Sequence, residues 1–224
     1  MKAQDKIILA LDVDSVKKAK YFVNELYLEV KVFKVGLQLF TACGPKIIEF
    51  IHNKGAEVFL DLKLFDIPNT IANAVRQAVR LRVEMLTLHI AGGEEMLRAA
   101  VKAAQKEAAQ LKIKRPLLIG VTVLTSQKAE SQDVLKLAKM GLARGLDGVV
   151  CSPKEIKLLR SKIKRKFIIV TPGIRPKGAG KDDQKRTLTA QEALAAGSDL
   201  LVVGRPVLEA KNPVLAIRRL LCGL

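Results

Sequence analysis

The chain has 224 residues, of which 49% are hydrophobic, and this is enough for one domain with a large core. Lysine and arginine number 39 against 22 acidic residues, and the formal net charge of +17 favours phosphorylated small molecules, nucleic acids or acidic membranes as partners. The apolar run at residues 7–11 is too short for a signal peptide or a membrane span, so we expect a soluble cytoplasmic protein without a membrane partner.

The basic residues and the cysteines point to no specific partner. Lysines and arginines are spread along predicted helices, as in residues 102–114 and 154–166, and only 4% of residues are aromatic, too few for a base-stacking surface. Three cysteines are too few for a disulfide framework and show no metal-ligand spacing. We therefore expect a solvated basic surface, a reducing compartment, no nucleic-acid partner and no metal site.

Short runs of β-branched or aliphatic residues recur along the chain, each followed by a polar turn and a stretch with helical periodicity. The predicted strands are residues 7–11, 30–35, 57–62, 85–89, 117–123, 148–151, 167–171 and 200–203. The predicted helices include residues 16–26, 45–53, 71–81 and 94–111. Near-continuous apolar strands that alternate with helices indicate a parallel sheet buried on both faces.

Eight such units predict an α/β fold, a single (β/α)8 TIM barrel with eight parallel strands that takes up residues 1–224 as one domain. The main alternative, an open doubly wound sheet, would normally carry a glycine-rich turn after its first strand, whereas residues 12–15 read Asp-Val-Asp-Ser. Barrels have their active sites where the carboxyl ends of the strands meet, so polar residues there are the candidates for function.

Charged residues end the first three predicted strands. They are Asp12 after strand one, Lys34 in strand two, and Asp61, Lys63 and Asp66 in or after strand three. Side chains alternate along a strand, so Asp61 and Lys63 should share a face and point into the barrel mouth, while Asp66 could approach them within its own subunit or across an interface. Singly, these residues fit a salt bridge or helix N-caps. Together they favour a catalytic site, because burying so much charge for structural reasons alone is expensive.

Farther along, His89 ends strand four and is interpreted as a hydrogen-bonded residue of a barrel layer. Strand seven runs into a long basic loop, residues 171–186, that contains Arg175, and strand eight runs into Gly204 and Arg205. Barrels often bind phosphate in these two loops, where a glycine exposes its N–H and an arginine offers a bidentate fork. We expect a phosphate site and a lid here, with a plain turn and a loop without function as the alternatives.

Residues 61–70, which read Asp-Leu-Lys-Leu-Phe-Asp-Ile-Pro-Asn-Thr, resemble the signature of the orotidine 5'-phosphate decarboxylases. Further blocks similar to this family follow the same order and cover essentially the full chain; they are residues 9–12, 34–36, 123–126, 171–175, 183–184 and 203–205. One departure is Phe65, where many members carry histidine; as an outward neighbour of the charged pair it should affect the site little.

The resemblance implies a homodimeric enzyme that converts orotidine 5'-monophosphate (OMP) to uridine 5'-monophosphate (UMP) and CO2, the last step of UMP biosynthesis, without metal or organic cofactor. Its catalytic residues would be Lys34, Asp61, Lys63 and Asp66. Its substrate-binding residues would be Asp12, Lys34, Asp61, Ile67, Thr70, Thr125, Ser126, Pro172, Arg175, Gln184, Gly204 and Arg205. Asp66, Ile67 and Thr70 would come from the neighbouring subunit, so each site would require a dimer.

Loss of CO2 from the pyrimidine C6 leaves a carbanion in the ring plane, where the π system cannot delocalise it. The site must therefore stabilise this charge electrostatically. Lys63 would face the carbanion and protonate it, while Asp61 would lie beside the departing carboxylate and disfavour its charge in the ground state.

Two other functions are compatible with parts of the sequence. A related group of magnesium-dependent barrels that act on sugar phosphates shares the Asp-x-Lys-x-x-Asp strand end, and the decisive difference from it is the continuation at residues 67–70. A non-enzymatic RNA-binding protein would account for the net charge of +17 and would show a steep salt dependence of RNA affinity.

Overall fold

A closed parallel barrel is the centre of the computed structural model, which describes residues 3–124, 130–175 and 188–222. Its strands are β1 (Ile7–Ala10), β2 (Val32–Gly36), β3 (Glu57–Leu64), β4 (Met85–His89), β5 (Leu117–Val121), β6 (Gly148–Val150), β7 (Ile168–Thr171) and β8 (Leu200–Val203). Each strand pairs with the next in chain order, and β1 pairs with β8 through Ile7 and Leu201. The eight-stranded barrel expected from the apolar runs is confirmed.

Helices cover the outside of the barrel. They are α1 (Val16–Leu26), α2 (Leu37–Cys43), α3 (Lys46–Asn53), α4 (Pro68–Arg80), α5 (Gly93–Leu111), α6 (Ser131–Ala143), α7 (Ile156–Lys162), α8 (Ala190–Ala196), α9 (Arg205–Leu208) and α10 (Pro213–Cys222). Ser15 caps α1, and Thr189 caps α8 in a reciprocal capping box. Helix α4 begins at Pro68 rather than at residue 71, because proline suits the first turn of a helix. No helix in the described ranges is long and apolar enough to cross a membrane.

Alternation along the strands creates two separate cores. Inside the barrel, an apolar cluster includes Ile8, Phe59, Ile119 and Val170, whereas a much larger cluster, which includes Leu60, lies between the strands and the helices. Full burial of one such side chain stabilises the fold by about 1.5–3 kcal/mol. Because the interior is filled by these side chains, a ligand can enter only at the ends of the barrel.

Ion pairs tie the strands together at the amino-terminal end of the barrel. Asp147 accepts hydrogen bonds from Arg115 at 2.6 and 2.9 Å and from the backbone N–H of Leu118 in β5 at 2.7 Å. Asp199 makes the equivalent contacts with Arg160 at 2.5 Å and with β7 at 2.7 Å. These carboxylates are held by the scaffold, which leaves the carboxyl end of the barrel as the place for chemistry.

Candidate active site

A cavity of about 520 Å³ opens at the carboxyl ends of the strands. The predicted site residues that line it are Asp12, Lys34, Asp61, Lys63, Pro172, Arg175, Gly204 and Arg205. Apolar side chains of the inner core, including Phe59 and Val170, also line it, and so does Glu209, which no sequence pattern singles out. This size and mixture of apolar wall and few polar groups are typical of a site for one small molecule.

Charges of alternating sign cross the cavity from β1 to β3. Lys34 Nζ lies 2.9 Å from Asp12 Oδ1 and 3.5 Å from Asp61 Oδ2, and Lys63 Nζ lies 2.9 Å from that same Asp61 oxygen. Lys34 and Asp61 are each only 8% exposed. Ion pairing compensates for burial that would otherwise be very costly. Ser15 rather than Asp12 is the N-cap of α1, so the helix-cap alternative for Asp12 is wrong.

Asp61 is the centre of this charge array. Burial raises the pKa of its carboxyl group, but the ammonium groups of Lys34 and Lys63 and a hydrogen bond from Thr87 outweigh burial, so the net pKa lies below its ordinary value. Asp61 is therefore a carboxylate at neutral pH. It places a fixed negative charge directly beside the Lys63 ammonium.

Strand β3 leaves regular pairing where it carries the catalytic candidates. Pairing with β4 is in register through Leu60 and resumes at Leu64, but residues 61–63 lie opposite Thr87 alone. Lys63 has a φ of 49°, in the left-handed region, and its N–H donates to Thr87 Oγ1 at 2.8 Å. The prediction that Asp61 and Lys63 face the mouth together is confirmed by their ion pair, but a bulge rather than regular alternation brings it about.

Thr87 is a site residue that the sequence analysis missed. Its hydroxyl also lies 3.0 Å from Asp61 Oδ1, to which it donates, and the residue is fully buried. A signal was present, because Thr87 is the only hydroxyl residue in the apolar strand β4. It lies two residues after Met85, whose side chain faces the barrel interior, so the Thr87 side chain should face the same way. Threonine is common in strands, however, so the signal was weak.

His89 lies at the end of β4, close to the charge array. The centroid of its ring lies 5.9 Å from that of Phe65, and among the described residues its side chain shows this ring contact and no hydrogen bond, contrary to the interpretation from sequence. Burial and, secondly, the nearby Lys63 ammonium lower the pKa of His89, so the imidazole is neutral at pH 7. Phe65 itself is 62% exposed.

The loops after β7 and β8 approach the same cavity. Gly204 precedes the short helix α9, and Arg205 is its first residue. Arg175 is 9% exposed, and its backbone N–H donates to the carbonyl oxygen of Leu188 at 3.0 Å. Two guanidinium groups thus line the side of the cavity away from β3, where an anionic group could be held. Among the predicted residues, Thr125, Ser126 and Gln184 lie outside the described residues, as does the loop at 176–187.

Asp66, Ile67 and Thr70 lie outside the cavity of their own chain. All are exposed, and Asp66 Oδ1 accepts the N–H of Ile67 at 2.7 Å, just before α4 begins. The helix N-cap position is that of Ile67, so Asp66 is not the cap. One chain therefore brings Asp12, Lys34, Asp61 and Lys63 together and leaves these three residues on its surface.

The array can stabilise a negative charge that develops on a bound molecule. The Lys63 side chain is 33% exposed and reaches the cavity, whereas the Asp61 side chain behind it is 12% exposed. An ammonium so placed stabilises a carbanion and can donate a proton to it, and a neighbouring carboxylate repels any acidic group on the same atom. Together with the guanidinium groups, this geometry suits an anionic substrate that carries a second negative group.

A family model and named relatives give the same family for this chain. The family model described as Orotidine 5'-phosphate decarboxylase / HUMPS family matches residues 5–220. Proteins named orotidine 5'-phosphate decarboxylase from Moorella thermoacetica and Syntrophotalea carbinolica are 45% and 46% identical, over 97% and 98% of this chain and 91% and 95% of their own.

Solved structures agree with these relatives. Orotidine 5'-phosphate decarboxylase from Lactobacillus acidophilus has a TM-score of 0.85 and 33% identity, with 98% of each chain covered. An uncharacterized conserved protein from Geobacillus kaustophilus has a TM-score of 0.83 and 31% identity, with 97% of this chain and 99% of that chain covered. The similarity therefore extends over the barrel as a whole rather than over one motif.

Proposed function

The chain belongs to the orotidine 5'-phosphate decarboxylase / HUMPS family, and from this membership we infer that its barrel mouth is where OMP loses CO2. The protein is an enzyme, a carboxy-lyase that converts OMP to UMP in pyrimidine biosynthesis. The single observation that carries the proposed site is the alternating array of Asp12, Lys34, Asp61 and Lys63 in the cavity. The direct test is UMP formation from OMP by the purified protein, and absence of UMP would overturn the proposal.

Lys63 is the proposed proton donor. When the C6 to carboxylate bond breaks, its electron pair stays on C6 and CO2 leaves. The Lys63 ammonium stabilises this pair, transfers one proton to C6, and regains a proton from solvent. The partial exposure of the Lys63 side chain to the cavity supports this role.

Asp61 is proposed to destabilise the bound substrate before CO2 is lost, and Lys34 is proposed to hold Asp61 in place. Asp61 remains ionised because Lys34 and Lys63 lie within 3.5 and 2.9 Å of its Oδ2, so the substrate carboxylate would meet a like charge that loss of CO2 relieves. Lys34 is held on its other side by Asp12 at 2.9 Å, and this pair would meet the ribose hydroxyls. The proposed site thus uses lysine ammonium groups where a metal-dependent barrel uses a metal ion.

Chelation separates this proposal from the magnesium-dependent sugar-phosphate alternative. After dialysis against EDTA we expect the rate of UMP formation to change by less than about 2-fold, because ammonium groups rather than a Lewis acid stabilise the developing charge. The assay compares chelated protein with the same protein after magnesium is restored. A loss of activity that magnesium reverses would contradict the proposal that no cofactor takes part.

Arg205 is proposed to bind the substrate phosphate, with Gly204, Arg175, Pro172 and Gln184 around it. Arg205→Ala should weaken UMP binding by about 10- to 100-fold, the typical effect of losing a charge-assisted hydrogen bond, and uridine binding by less than about 2-fold. Titration calorimetry with both ligands provides the measurement, and Arg98→Ala on the exposed face of α5 is the charge-matched control. Equal losses for UMP and uridine would remove Arg205 from the phosphate site.

We also propose that the whole chain, residues 1–224, is one catalytic domain that works as a cytoplasmic homodimer. Asp66, Ile67 and Thr70 would complete the neighbour's site, and Thr125 and Ser126 would meet the pyrimidine. Support for the dimer comes from Phe65 and Ile67, which are 62% and 66% exposed and are close neighbours in the chain, since clustered exposed apolar side chains mark subunit contacts. Support for a reducing compartment comes from the cysteines of the described chain, all of which are free thiols.

A further inference from the structure

A single buried hydroxyl joins the two residues that the proposed mechanism depends on most. Thr87 Oγ1 accepts the backbone N–H of Lys63 at 2.8 Å and donates its proton to Asp61 Oδ1 at 3.0 Å. A threonine hydroxyl has one proton and two lone pairs, so both contacts are made by one oxygen without conflict. Thr87 is 0% exposed and contacts the pair from β4.

The contact with Asp61 determines which carboxylate oxygen is left for the lysines. Rotation of an aspartate carboxylate about χ2 meets only a broad, shallow barrier. With Oδ1 held by Thr87, Oδ2 is the oxygen that contacts both Lys34 and Lys63, at 3.5 and 2.9 Å. Without the hydroxyl, the carboxylate plane could turn, and the distance from Asp61 to the Lys63 ammonium would vary.

The contact with Lys63 stabilises an unfavourable backbone conformation. Lys63 has a φ of 49°, which costs about 1–3 kcal/mol for a residue with a Cβ atom, and the bulge removes its N–H from the regular ladder with β4. The Thr87 hydroxyl replaces the missing carbonyl acceptor. It therefore holds the point on the backbone from which the Lys63 side chain enters the cavity.

We propose that Thr87 is a positioning residue for decarboxylation, which orients the Asp61 carboxylate and the Lys63 backbone without touching substrate. This inference rests on the roles proposed above for Asp61 and Lys63. Three variants of the full-length protein test it. Thr87→Val keeps the shape and removes the hydroxyl, Thr87→Ser keeps the hydroxyl, and Leu88→Val removes one buried methylene from the other face of β4 as a stability control.

We expect Thr87→Val to lower kcat by about 10- to 100-fold with KM changed by less than about 3-fold, because misplacing reacting groups by even 1 Å has effects of this size. Thr87→Ser should stay within about 3-fold of the wild-type kcat, because its hydroxyl makes the same bonds. The hydrogen bond from Thr87 also lowers the pKa of Asp61, so its loss in Thr87→Val should raise that pKa. The acid limb of the pH profile of kcat should then move to higher pH in Thr87→Val and not in Thr87→Ser. Leu88→Val should lower the melting temperature and leave both kcat and the acid limb unchanged.

A wild-type kcat and acid limb in Thr87→Val would overturn the inference, as would equal losses of kcat in the valine and serine variants. If the valine variant does not fold, Thr87→Cys gives the same comparison, because a thiol of similar size is a weaker donor and acceptor. The proposed function fails separately: it is wrong if the wild-type protein forms no UMP, and the proposed role of Lys63 is wrong if Lys63→Ala remains active. If Thr87→Val is fully active while Lys63→Ala is inactive, only the proposed role of Thr87 is overturned.

Discussion

Lys63→Ala is expected to fold normally and to lose between about 10⁴- and 10⁷-fold in kcat. Loss of electrostatic stabilisation of the developing charge accounts for about 10²- to 10³-fold and loss of the proton donor for about 10²- to 10⁴-fold. Both losses fall on kcat, because Lys63 acts where charge develops rather than where the phosphate is bound. UMP formation from OMP in single-turnover and steady-state assays provides the measurement.

The fold should persist because the substitution changes little else. The Lys63 side chain lies at the cavity rather than in the core, and alanine at a φ of 49° carries the same Cβ penalty as lysine. Asp61 keeps Lys34 as a partner at 3.5 Å. Circular dichroism and retained UMP binding monitor the fold, and Lys106→Ala on the exposed face of α5 is the control for loss of one charge. Near-normal turnover in a folded Lys63→Ala protein would remove Lys63 from the mechanism.

Mixing inactive Lys63→Ala chains with inactive Asp66→Ala chains is expected to restore activity. If each site takes Lys63 from one chain and Asp66 from the other, a mixed dimer has one site with both substitutions and one site with neither. Random assortment makes about half of the dimers mixed, so roughly a quarter of the wild-type sites should reappear. Turnover after verified subunit exchange, for example between differently tagged chains, provides the measurement.

A second mixture controls for effects of exchange itself. Lys63 and Asp61 lie in the same chain and contact each other at 2.9 Å, so Lys63→Ala mixed with Asp61→Ala gives one damaged residue in every site and should stay inactive. Restoration in this control would show that the assay reports something other than shared sites. No restoration with Asp66→Ala, despite exchange, would mean that Asp66 acts within its own chain.

The barrel could be predicted from the sequence because its signal is local and repeated. Strands β4 and β8 were predicted at residues 85–89 and 200–203 and are found there, since apolar runs bounded by turns define buried parallel strands. The predicted strand boundaries also placed the charged candidates at the carboxyl ends of β1 to β3. Their pairing in the structure, Asp12 with Lys34 and Lys34 with Asp61, confirms that the strand ends converge.

What the sequence did not predict depends on contacts between distant segments. Strand β3 continues to Leu64 rather than stopping at residue 62, because the Thr87 hydroxyl of β4 stabilises a bulge there. This part of the sequence has no glycine that would indicate a bulge. Thr87 looks like any β-branched strand residue until its partners in β3 are seen. Asp66 differs again, because one chain leaves it exposed and its proposed role needs a second copy.

Closure of the sheet between β1 and β8 also bears on how the protein is made on the ribosome. Ile7 and Leu201 lie far apart in the sequence, so β1 has no partner on one side until the ribosome has translated β8. Through this period the nascent sheet has two open edges, which invite pairing with other chains. Such non-local closure makes folding slow, and the yield of active protein in the cell should depend on chaperones that shield the unfinished barrel.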